Sequence, residues 1–83
     1  MKTVFLLMAE FEAATIPLSD IAEKYLGLKP STAESHARNA RLPFPTFRMG
    51  ESQKSPRLVH VEDLANFIDT QRKLAFEEFK HCQ

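Results

Sequence analysis

The sequence predicts a mainly α domain with a small β-hairpin, arranged as a winged helix-turn-helix. Three observations carry that expectation. Two short helical stripes are joined by the three-residue turn "LKP". Two alternating segments, "TFRM" and "RLVHV", bracket the turn-rich "GESQKSP". A long amphipathic stripe, "EDLANFIDTQRKLAFEEF", follows them. At 83 residues the chain is read as one domain, residues 1–83.

The first helix is predicted over about residues 3–13, because Val4, Leu7, Met8 and Phe11 recur at helical spacing. "TIPL" should break it at Pro17, since proline lacks the amide a helix interior needs. The second helix is "SDIAEKYLG". Ser19 is its expected N-cap, and Ile21, Ala22, Tyr25 and Leu26 form its inward stripe. Gly27 should end it, because glycine takes a left-handed conformation at little cost.

The third helix is expected over residues 31–41, "STAESHARNAR". Ser31 or Thr32 should cap it, with Glu34 at capping-box spacing from Ser31. Ala33, Ala37 and Ala40 make a thin apolar stripe that permits close helix packing. The other positions carry side chains that donate hydrogen bonds. Pro43 and Pro45 end the helix, and the hairpin comes next. The last helix is expected over about residues 61–80, with Val61, Leu64, Ile68 and Ala75 on one stripe.

Charge is balanced overall, with eleven cations and eleven acids, yet it is unevenly placed. Residues 29–57 hold Lys29, Arg38, Arg41, Arg48, Lys54 and Arg57 against only Glu34 and Glu51. The segments on either side are acidic. A basic centre of this kind suits a polyanion. In a helix-turn-helix the second helix enters the major groove with its N-terminal residues nearest the bases. The expected DNA contacts are therefore Lys29, Ser31, Thr32, Ser35, His36, Arg38, Asn39 and Arg41. Asparagine suits adenine, and arginine suits guanine or phosphate. The hairpin becomes the wing, and Arg48, Ser52, Gln53, Lys54, Ser55 and Arg57 are its expected backbone or minor-groove contacts.

Other chemistries find little support. Two glycines cannot build a glycine-rich phosphate loop. No nucleophile–base pair or spaced metal ligands are evident, so no enzyme activity, cofactor or metal is expected. "VFLLMA" is too short to span a bilayer and lacks the order of a signal peptide. One cysteine, Cys82, excludes a disulfide framework. The expectation is a cytoplasmic, nucleoid-associated protein. His60 is expected to cap the following helix or pack on Phe47. Phe76 and Phe79 are expected either to fold back on Phe5 or Phe11, or to mediate self-association.

A family resemblance sharpens this reading. "LPFPTFRMGESQKSPRLVHVEDLANFID" over residues 42–69, and "TVFLLMAEFEAATIPLSDIAEKYLG" before it, resemble the pyocin activator protein family. "LP", an arginine, "SQKS", "VH", "DLA" and "ID" carry the likeness, from Thr3 to about Lys73. The matching wing residues are Arg48, Ser52, Gln53, Lys54, Ser55 and His60, while Leu58 stands where the family pattern has glycine. The resemblance implies a small prophage-associated regulator that binds double-stranded DNA and activates phage or bacteriocin genes. It also implies a fold shared with excisionase and MerR-like proteins. Excisionase, a DNA-bending factor that directs an integrase, is the nearest alternative. An anti-repressor-type protein interaction module is the alternative from another class. Expected partners are DNA, a second copy as a dimer or side by side on DNA, and RNA polymerase or integrase. No membrane is expected.

Overall fold

The computed structural model describes residues 2–51 and 55–81. Helix α1 spans Thr3–Phe11 and strand β1 spans Thr15–Pro17. Helix α2 spans Leu18–Ile21 and runs on as a wider π turn over Ala22–Leu26. Helix α3 spans Pro30–Arg38, strand β2 spans Leu58–His60, and helix α4 spans Val61–His81. The structure is mainly helical with a small antiparallel β pair, as the sequence predicts, and it fits a small winged-helix fold.

Strand pairing differs in detail from the expectation. β2 pairs along its length with β1, in the register Thr15↔His60, Ile16↔Val59 and Pro17↔Leu58. The expected hairpin is present at a single bridged pair, Phe47↔Leu58, with both backbone bonds made at 3.0 and 2.7 Å. Leu58 therefore lies between two neighbours. The pairing with β1 wins because it buries Ile16 against Val59, and both are fully buried. Pro17 sits at the end of its strand, where a missing amide costs little. The residues read only as a helix breaker thus also form a strand. Backbone bonds from Val61 to the Ala14 carbonyl and from Leu18 to the Arg57 carbonyl, both 2.8 Å, prolong the pairing at each end.

The helices pack around this pair. Leu7 of α1, Ile21 and Ala22 of the second helix, Ala33 of α3 and Leu64 of α4 share one core. Phe44 closes it from the loop, edge-on to Phe67 with ring centroids 5.6 Å apart. α1 lies along the first half of α4, and the Thr3 hydroxyl donates to Asp69 at 2.6 Å. Lys24 pairs with Glu10 and stands 5.4 Å from the ring centres of both Phe11 and Tyr25, tying α1 to the π turn.

Helix ends depart from the expected caps. α2 starts at Leu18 with Pro17 before it, and Ser19 makes no side-chain cap. α3 starts one residue early because Pro30 is pre-set for the first helical position, so neither Ser31 nor Thr32 caps it. Gly27 ends the π turn at φ 67°, as predicted. α3 stops at Arg38 rather than 41. Ala40 turns left-handed at φ 53°, its amide bonds Ala37, and the Arg41 amide bonds His36 at 2.8 Å. This is a Schellman end with alanine where glycine is favoured. A left-handed alanine costs about 1–2 kcal/mol, and glycine's greater unfolded entropy returns about 0.4–1 kcal/mol of that. Ala40→Gly should therefore stabilise the fold by about 0.5–1 kcal/mol in urea denaturation. A loss of stability would contradict this account of the helix end.

Candidate nucleic-acid interface

α2, its π turn and α3 form the helix-turn-helix, with Gly27–Lys29 as the turn. Alanine spacing sets the rotation of α3. Ala33 is fully buried and Ala37 packs on the core, so this face is turned inward. Ser31, Thr32, Ser35, Arg38 and Asn39 then fall on the opposite, exposed face. Lys29 in the turn and Arg41 after the helix are exposed beside them, and His36 is half-buried. Among the described residues, no side-chain hydrogen bond or ion pair engages Ser31, Thr32, Ser35, Arg38 or Arg41. Asn39 is different: its amide donates to the Ser35 carbonyl at 3.0 Å and helps close the helix end.

The wing is joined to α3 by one carboxylate. Glu34 accepts from Arg48 Nη2 at 2.7 Å and from Arg57 Nε at 3.1 and 3.0 Å. Arg57 Nη1 also donates to the Thr46 hydroxyl at 3.1 Å. These arginines lie on the two arms of the loop, so one acid on the helix grips both. The Arg57 side chain is only 14 % exposed. Its carbonyl accepts from Leu18, which ties the same residue to the start of α2. Ser55 is half-buried beside Gly50. Ser52, Gln53 and Lys54 lie outside the described residues.

The structure therefore brings the α3 residues together on one open face, and it turns Arg48 and Arg57 toward the protein. Glu34 is the residue that the sequence reading misplaced. Its capping-box spacing suggested a bond to the start of its own helix, but Pro30 shifts that start. The available signal was its isolation, as one of two acids in a basic segment. His60 behaves as expected, with Nδ1 accepting from the Glu62 amide at 3.1 Å at the start of α4.

Glu34→Ala should lower stability by about 1–3 kcal/mol, because it removes charged hydrogen bonds and leaves two half-buried arginines unpaired. Chemical denaturation reads this directly. No change would mean that the three-residue cluster does not hold the loop.

No helix among the described residues is long and apolar enough to cross a membrane. In comparisons with known proteins, no curated protein and no solved structure shows a significant match. A family model described as pyocin activator protein PrtN matches residues 3–75. That match takes in the helix-turn-helix, the loop held by Glu34 and most of α4. The chain belongs to the pyocin activator protein PrtN family, a family of regulatory proteins.

Proposed function

We propose that this regulator binds specific DNA sites and activates prophage or bacteriocin genes. The carrying observation is the exposed face of α3 in a helix-turn-helix, where the side chains of Ser31, Thr32, Ser35 and Arg38 have no side-chain hydrogen bond or ion pair among the described residues. Family membership supports the regulatory role, and the basic segment supports a polyanionic partner.

In this mechanism α3 enters the major groove. Ser31, Thr32 and Ser35 meet base edges or phosphate near the helix start. Arg38 reaches guanine or phosphate, and His36 and Asn39 stand at the rim. Asn39 keeps its carbonyl oxygen for a contact while its amide serves the helix end. Lys29 and Arg41 bracket the helix and engage phosphate. Arg48 and Arg57 act chiefly through position. They fix the two arms of the loop against α3, and Ser52, Gln53, Lys54 and Ser55 are the loop's proposed contacts with the backbone or minor groove. The share of Glu34 in this device explains an acid so close to a nucleic-acid surface.

The test is capture of sheared DNA from the source genome by the purified protein at two salt concentrations, followed by sequencing. The expected result is a small set of sharp peaks that survive the higher salt, lying upstream of phage or bacteriocin genes. Peaks confined to an integrase attachment site, together with DNA bending, would favour the excisionase alternative. Absence of any retained DNA would overturn DNA binding and leave the protein interaction module. On a mapped site, Arg38→Ala should relax discrimination at one base position by about 1–3 kcal/mol. Unchanged discrimination at every position would remove Arg38 from base reading.

A further inference from the structure

We propose that two copies of this chain associate through the second halves of α4, antiparallel, about a two-fold axis close to Ala75. The inference is independent of DNA binding and concerns a surface at the far end of the molecule.

α4 carries one continuous inward stripe. Val61, Leu64 and Ala65 on it are buried, and Ile68 is half-buried against the core. At 100° per residue the same stripe continues through Arg72, Ala75, Phe76 and Phe79. The cover does not continue with it. α1 begins at Thr3, which bonds Asp69, and every α4 residue from Asp69 to His81 is exposed. That segment extends for about 18 Å at 1.5 Å per residue. The Phe76 and Phe79 side chains are 61 % and 58 % exposed, so neither folds back on α1. The stripe that builds the core therefore runs on, uncovered, with two phenyl rings.

The charges identify what covers it. Arg72 lies on the stripe, and Asp69, Glu78 and Lys80 flank it. Turning a second helix end over end about Ala75 sets Arg72 opposite the partner's Glu78. It also sets Asp69 close to the partner's Lys80, and symmetry makes each pair twice. A parallel pair would instead set Arg72 against its own copy. Among the described residues, no ion pair within the chain occupies Arg72, Asp69 or Glu78. Ala75 is the smallest side chain on the uncovered part of the stripe and sits where the helices cross closest. Beside it, Asp69, Arg72, Lys73 and Phe76 surround a groove of about 450 Å³. Those four positions are spaced i, i+3, i+4 and i+7, the four-sided hole that accepts a side chain from a facing helix. In the antiparallel register the partner's Phe76 comes level with residue 74, at the edge of this hole, and within its own chain Lys80 stands 5.7 Å from the Phe76 ring centre. A stripe this self-complementary fits a second copy better than an unrelated chain. The seam is short beside standard interfaces, so the dimer is expected to dissociate on dilution.

Sedimentation equilibrium of the DNA-free protein over a wide dilution series tests this. The wild-type mass should rise from monomer to dimer with concentration. Phe76→Ser, Arg72→Glu and Glu78→Lys should each raise the dissociation constant at least about tenfold. Because these positions are exposed, circular dichroism should show unchanged helix content. An equimolar mixture of the Arg72→Glu and Glu78→Lys chains should dimerise again, since every cross-pair in it regains opposite charge. Three results would overturn the proposal: a wild-type monomer at all concentrations, charge variants that dimerise like the wild type, or a mixture that stays monomeric.

Discussion

One carboxylate sets the relation between the two parts of this molecule that face outward. Glu34 leaves α3 on the side next to its inward alanines and takes a guanidinium from each arm of the loop. Without it, the loop would be tied to the body by the Phe47–Leu58 bridge and by the backbone of Arg57. With it, the rotation of α3 and the aim of the loop become one variable. The side chains of the cluster are 14–30 % exposed, so their attraction is partly offset by desolvation. Its main effect is geometric. Ala33 fixes one side of α3 through packing, Glu34 fixes the adjacent side through charge, and the remaining face is left to solvent.

That arrangement rests on a small closure of the chain. Strand β1 near the beginning meets strand β2 near residue 60, and two three-residue strands bring α1 and α4 into contact. The central pair, Ile16 and Val59, lies between the helices and anchors the core. Core formation then stops at the level of Thr3, where α1 begins. α4 is 21 residues long, and only its first two turns supply fully buried side chains. The molecule is accordingly elongated, 51 Å in its longest dimension against 17 Å in its shortest. Helix-turn-helix and loop occupy one part of it, and the free half of α4 extends away from the core. The proposed DNA-binding face and the proposed association face thus share no residues.

Much of this was legible in the residues, for identifiable reasons. Helical periodicity located α1, α3 and α4, because each has a stripe long enough to repeat. Gly27 was readable because only glycine takes its conformation without strain. The alanines at 33 and 37 indicated which face of α3 packs. Other features left no such trace. β1 is three residues long, and its proline argued against a strand. The end of α3 depends on a left-handed alanine, for which the sequence carries no warning. Ser19, Ser31 and Thr32 were reasonable caps on chemistry alone, but Pro17 and Pro30 decided where the helices start. Charge counting marks Arg48 and Arg57 as cations but carries no sign that an acid lies near them in space. Glu34 is distant from both in sequence and adjacent to both in the fold.

The exposed face of α3 is the proposed point of contact with DNA. At 83 residues the protein suits a residue-by-residue solution map, with amide and side-chain resonances followed during titration with a DNA fragment it retains. The largest changes should fall on Ser31, Thr32, Ser35 and Arg38, with smaller ones along the loop and almost none on the free half of α4. Changes concentrated on α1 or α4, with α3 unmoved at saturating DNA, would contradict that point of contact.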